Sequence, residues 1–161
     1  MEEMPMGEHQ ISIDVISKNL IFLDKDFNSR NQVLEHIALE ALKNEYITNK
    51  EDFLQAILAR EEEISTAIGY LIAIPHGKTD AAKRPFIAFM RLNKEIAWEA
   101  NQDEPVKLIF LIGVPESEYV KLHLKFISQL SKKLLDEDFR NKLLKQADTE
   151  NVYQQLTSIE I

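Results

Sequence analysis

The sequence predicts an α/β fold: a single domain whose central mixed β-sheet is flanked by helices on both faces. Three observations carry this. Two amphipathic helical stretches precede a group of strand-like segments, and further helical stretches follow it. The last strand-like segment, "VKLIFLIGV" (106–114), is nearly continuous in apolar residues, as suits a strand covered on both faces. The gaps between these segments are too short for a helix in every crossover, so the sheet should be mixed rather than purely parallel.

Taken in order, residues 1–10, "MEEMPMGEHQ", read as a flexible leader ahead of the domain. "ISIDVISKNLIFL" (11–23) alternates loosely and is β-branched, which predicts one or two short strands. "NSRNQVLEHIALEALKNEY" (28–46) puts Val33, Leu34, Ile37, Ala38, Ala41 and Leu42 on one helical stripe, with Asn28 or Ser29 as its cap. "TNKEDFLQAILAREEE" (48–63) opens with Thr48 and Glu51 in capping-box spacing. Its apolar face is Phe53, Leu54, Ile57 and Leu58, and the helix is expected to end near Arg60. "YLIAI" (70–74), "FIAFMRL" (86–92) and the 106–114 segment supply the strands. A long helix follows over 117–135, with Leu122, Phe126, Ile127, Leu130 and Leu134 inward, and "DEDFRNKLLKQ" and "TENVYQQL" give two shorter ones.

The length of 161 residues suits one domain, and no internal repeat or low-complexity stretch divides it. The formal net charge of −8 argues against a nucleic-acid partner, which would need a basic face to exchange for phosphate counterions. No segment approaches the roughly 20 apolar residues of a membrane helix, so no membrane insertion is expected. The acidic start lacks the order of a signal peptide, and there is no cysteine. A cytoplasmic protein without disulfides, thiolate chemistry or cysteine metal sites is the expectation.

Of the four histidines, His9 lies in the leader and His36 beside the first helical stripe, both as ordinary surface residues. His76 stands in "IAIPHGKTD" (72–80), between a proline with no N–H to donate and a glycine that permits a sharp turn. This predicts an imidazole at the C-terminal edge of a strand, where open α/β sheets bind ligands, or one that merely caps the turn. His123 shares a helical side with Ile127 and Leu130 and should face the sheet, as a site residue or a core histidine. Arg60, at the C-terminal end of its helix, complements the helix dipole, pairs with Glu61 to Glu63 or joins the same site. The run from His76 to Lys94 carries Lys78, Lys83, Arg84, Arg91 and Lys94 against Asp80, as a solvated surface or a phosphate-facing cluster.

Two imidazoles and a guanidinium together suit a doubly charged phosphoryl group. Neutral imidazole is a competent nucleophile, and its pKa near neutrality makes it a serviceable leaving group. Phosphoryl transfer asks mainly for positioning and for compensation of charge on the equatorial oxygens.

The chain resembles the fructose/mannitol-type IIA domain (EIIA type 2) of the bacterial phosphoenolpyruvate-dependent sugar phosphotransferase system. The resemblance runs from about Ile11 to Leu156, on "FLQAILAREEE", "TAIGYLIAIPHGKTDAAKRP", "VKLIFLIGVPE" and "HLKFISQLSKKLLDEDFRNKL". It implies a phosphotransferase acting through a phosphohistidine, with His76 as phospho-acceptor, His123 as a second group holding the phosphoryl, and Arg60 stabilising charge. It also implies a mixed sheet flanked by helices, no cofactor and no metal. The implied donor is the small carrier HPr, and the implied acceptor is a cysteine of a IIB component. One departure stands out: the family usually has a second glycine where this chain reads Gly69-Tyr70-Leu71, so Leu71 is expected to crowd the pocket or alter docking. No IIB or membrane segment is appended, so a free-standing protein is expected.

Two rivals bear on the same residues. A regulatory IIA-like protein would use His76 phosphorylation to control a partner protein instead of sugar uptake. A metal-dependent hydrolase would need ligand spacing that His76 and His123 do not offer, and a histidine phosphatase would need an arginine where Pro75 stands.

Overall fold

The computed structural model describes residues 15–99, 104–118 and 124–159 of the chain. In chain order these form β1 (Ile16–Lys25), α1 (Arg30–Lys43), α2 (Lys50–Glu63), β2 (Ala67–Gly69), β3 (Ile72–Ala73), β4 (His76–Lys78), β5 (Phe86–Ala97) and β6 (Pro105–Val114). A 3-10 turn at Glu116–Glu118 and the helices α3 (Leu124–Lys133), α4 (Glu137–Lys145) and α5 (Thr149–Thr157) complete them. The expected leader, His9, Leu122 and His123 lie outside the described residues.

One mixed sheet of six strands runs in the order β1-β5-β6-β3-β2, with β4 also on β6. β1 is parallel to β5, β5 antiparallel to β6, β3 and β4 both parallel to β6, and β2 antiparallel to β3. β6 is the spine, which explains its unbroken apolar sequence: both faces are covered and nearly every residue is buried.

Side-chain alternation sends successive residues to two separate cores. Ala88 and Met90 of β5 pack with Val33, Leu34 and Ile37 of α1 and with Phe53 and Ile57 of α2. Ile87 and Phe89 point the other way, to Phe126 and Leu130 of α3, Leu143 of α4 and Val152 of α5. Helices therefore cover both faces of the sheet, α1 and α2 on one and α3 to α5 on the other.

The helix starts follow from their caps. Ser29 accepts from the Gln32 N–H, and the Gln32 side chain accepts in return from the Asn28 N–H. For α2 the cap is Asn49, which accepts from the Asp52 N–H at 3.0 Å; Thr48 is instead drawn out of the cap by its own N–H, which donates to Ala81 O at 2.8 Å. On α1, Leu42 ends at the margin of the core, on the exposed side of the stripe. α2 continues through Glu63, one turn beyond its expected end, because Glu61 at the same stripe spacing as Phe53 and Ile57 is buried.

The strand region differs most from expectation. Tyr70 and Leu71 do not open a strand but form the tight turn between β2 and β3, both with left-handed backbones (φ 57° and 68°) after Gly69 at 92°. Pro75 interrupts the pairing with β6 without ending it. Its carbonyl accepts from the Ile112 N–H at 2.9 Å, and the ladder resumes at once as His76 pairs with Ile112 and Gly77 with Gly113.

Candidate active site

His76 is a strand residue, held between β6 and α2 rather than displayed on a turn. Gly77 has no positive φ; it is required by proximity. A Cβ there would lie 2.9 Å from Ile57 Cδ1 and 3.5 Å from the α2 backbone. The missing side chain lets β4 lie directly against α2, and this brings the last turn of that helix over the imidazole.

His76 is 8% exposed, and its ring is bonded at both nitrogens. Nδ1 lies 2.8 Å from Ile74 O, and Arg60 Nε donates to Nε2 at 3.1 Å. A carbonyl only accepts and a guanidinium only donates, so the two bonds select one neutral tautomer, with the proton on Nδ1 and the lone pair on Nε2. Burial, with a smaller contribution from the Arg60 charge, holds the His76 pKa below its ordinary value against the opposing pull of the Ile74 bond. The imidazole is therefore neutral at pH 7.

Arg60 is anchored by its Nη1, which donates to Ile64 O at 2.7 Å just beyond the helix. Among the described residues it takes part in no ion pair. The two side chains open on a surface pocket of about 320 Å³ lined by Ala56, Ala59, Arg60, Glu63, His76, Gly77 and Lys78. Arg60 and Lys78 bring positive charge to this mouth, with Glu63 as the one acid among its described lining residues. Two small alanines leave room on the helix side for a group the size of phosphate.

The remainder of the basic run does not face the pocket. Arg84 stacks on Tyr46, with its guanidinium carbon 4.2 Å from the ring centroid. Arg91 is buried in β5, bonded to Asp24 and to the carbonyls of Leu143 and Gln146. Leu71 is also absent from the pocket wall, so it does not crowd the imidazole. The structure brings Arg60 and His76 together and adds Lys78; His123 lies outside the described residues.

The matching family model is described as "Phosphoenolpyruvate-dependent sugar phosphotransferase system, EIIA 2", and it covers residues 14–159. The chain belongs to that EIIA family. The fructose-like EIIA component of Escherichia coli K12 is 36% identical over 137 residues, 85% of this chain and 91% of that protein. A nitrogen regulatory protein of Bradyrhizobium diazoefficiens is 32% identical over 142 residues, covering 87% and 90%. Among solved structures, the nitrogen regulatory protein IIA-Ntr of Neisseria meningitidis superposes with a TM-score of 0.81 at 30% identity, over 89% of this chain and 97% of that one. As an EIIA family member the chain is a component of a phosphotransfer system, and its relatives include both sugar-system and regulatory proteins.

Some features of this candidate site escape the sequence. The tautomer depends on the carbonyl of Ile74, and no side-chain pattern advertises a backbone acceptor. Gly77 reads as a turn until α2 is known to cross it. Glu61 was hidden in the run "REEE", although Phe53, Ile57 and Glu61 repeat every four residues and so share the buried stripe. Among the described residues no group of three or more metal-ligating side chains is placed to hold an ion, and no helix is long and apolar enough to cross a membrane.

Proposed function

We propose that the chain is a phosphohistidine carrier that accepts a phosphoryl group from phospho-HPr on Nε2 of His76. The carrying observation is the pair of bonds that leaves Nε2, rather than Nδ1, with the lone pair beside a guanidinium. Nε2 attacks phosphorus in line, the P–N bond of the donor phosphohistidine breaks, and its electron pair returns to the donor ring. Arg60 gives up its bond to Nε2 and takes the phosphoryl oxygens instead, as Lys78 adds charge at the mouth. The ring formed is a phosphoimidazolium whose Nδ1–H still donates to Ile74 O, so the cationic ring is ready to leave when a IIB cysteine attacks. His123 is the second group proposed to hold the phosphoryl, on the resemblance. Both steps take place in the cytoplasm and need no metal or cofactor.

The test is incubation with phosphoenolpyruvate, the first enzyme of the system and HPr, followed by measurement of acid-labile phosphate on this chain. One phosphate per molecule is expected, absent in His76→Ala. No label, or label that survives His76→Ala, refutes the reading.

A second reading keeps the first transfer and replaces the second by control of a partner protein. The similarity to IIA-Ntr favours it. Restoration of sugar uptake in cells lacking their own IIA component supports the transport route, whereas a partner whose binding changes on phosphorylation, without such restoration, supports the regulatory one.

A further inference from the structure

We propose that Glu61 is the positioning residue of this site: its buried carboxylate fixes the segment between α2 and β2, and thereby sets the direction of Arg60 and the tautomer of His76. Glu61 is 2% exposed, and its two oxygens hold three neutral donors. Oε1 accepts from the Thr66 N–H and from the Trp98 indole N–H, each at 3.2 Å, and Oε2 accepts from the Thr66 hydroxyl. Among the described residues no cation pairs with it.

From there a ring of bonds closes on the imidazole. Thr66 O accepts from the Ile74 N–H at 3.0 Å, and Ile74 O is the acceptor for His76 Nδ1. On the other side Arg60, the neighbour of Glu61 in α2, is anchored on Ile64 O of the same segment and donates to His76 Nε2. Both contacts that select the nucleophilic tautomer are thus referenced to one side chain that touches neither the ring nor the phosphoryl group. A carboxylate suits the place because its two oxygens accept three donors at once. Loss of it frees Thr66, lets the Ile74 carbonyl turn from Nδ1 and allows the proton to move to Nε2, where it blocks attack.

The catalytic consequence rests on the proposed role of His76, but the tautomer does not, and this separates the two tests. Imidazole ¹⁵N–¹H multiple-bond NMR spectra, with the His76 signals assigned by His76→Ala, are compared with rates of phosphorylation by phospho-HPr. The Nδ1–H form is expected in the unaltered chain. In Glu61→Ala a mixture with the Nε2–H form is expected, with a rate about 10- to 100-fold lower. Glu61→Gln retains an acceptor for the two N–H groups and should recover most of both signals. Trp98→Phe should lower the melting temperature and leave the tautomer alone. A folded Glu61→Ala protein with an unaltered imidazole spectrum and rate overturns the proposal. Should that variant fail to fold, Thr66→Val, which removes only the hydroxyl donor, is read by the same two signals; a smaller shift in the same direction supports the proposal and none overturns it. A tautomer shift in a chain that HPr does not phosphorylate sinks the carrier reading and leaves the positioning role standing.

Discussion

Arg60 and Arg91 look alike in the sequence and are used in opposite ways. Arg91 is 5% exposed, and its guanidinium is spent: two bonds go to the Asp24 carboxylate and two to the carbonyls of Leu143 and Gln146. It neutralises its own charge and ties β5 to the end of β1 and to the end of α4. Arg60 is half-buried, donates to a neutral nitrogen and a neutral carbonyl, and faces a pocket. A guanidinium already matched by a carboxylate has little charge left for a ligand. One matched by neutral acceptors retains it for a dianion, and that difference separates a structural arginine from a candidate site arginine.

The comparison breaks most sharply at Arg60→Ala. The phosphorylation rate by phospho-HPr is expected to fall about 100- to 1,000-fold, as when a preorganised charge donor is removed. Stability, measured by chemical denaturation, should change by no more than about 1–2 kcal/mol, since the two bonds lost, to Ile64 O and to His76 Nε2, come from a half-buried side chain with no charged partner among the described residues. Comparable losses of rate and stability would mean that Arg60 resembles Arg91 after all.

Arg91→Ala should show the reverse. Two backbone carbonyls lose their donor and a buried side chain is emptied, at a cost of about 2–4 kcal/mol. The fraction that remains folded should accept phosphate at the unaltered rate. Arg91→Lys should rescue little, because one ammonium cannot span the acceptors that the planar fork reaches. A slow but stable Arg91→Ala protein would move this arginine into the site.

What the sequence made legible follows the range of the interactions involved. Local periodicity placed α1, α2, α4 and α5, and the unbroken apolar run placed β6 at the centre. A helix end and a Pro-His-Gly step mark Arg60 and His76 locally as candidates, and the structure places the two side chains 3.1 Å apart. The state of His76 was not legible. β4 exists through pairing with Ile112, Gly113 and Val114, far downstream, so the segment read as a turn. The cap of α2 shifted from Thr48 to Asn49 for the same reason, since Ala81 claims the threonine backbone from another part of the fold. Arg91 was misjudged as surface or phosphate-facing because its acceptors lie on β1 and α4.

A smaller effect sharpens the contrast between site and frame at the β2–β3 turn. Leu71 at φ 68° carries a side chain where left-handed backbone favours glycine, and its carbonyl is locked by the N–H groups of both Lys107 and Leu108. Tyr70 beside it is 57% exposed, with the Arg140 guanidinium 4.0 Å from its ring centroid. Leu71→Gly should raise stability by about 0.5–1 kcal/mol in a denaturation curve and leave the phosphorylation rate unaltered. A changed rate would show that the turn reaches the pocket through β3, and the separation drawn here would fail.

The smallest effect concerns pH, and its sign follows from the environment of His76. Burial and the Arg60 charge both disfavour a proton on Nε2, so the folded pKa lies below the ordinary histidine value of about 6.5. Above that value the ring is neutral in both folded and unfolded chains, and its contribution to stability is fully present. As pH falls from about 6.5 through the folded pKa, the unfolded chain takes the proton first, so that contribution is lost. The phosphorylation rate should follow the folded pKa instead: it holds through pH 6.5 and drops only at lower pH, as Nε2 itself is protonated. Arg60→Gln removes the repelling charge while leaving burial in place, so the midpoint of the His76 titration, followed by NMR, should move upward. A midpoint that stays fixed would assign the depression to burial alone and reduce Arg60 to a group that acts only once the phosphoryl oxygens arrive.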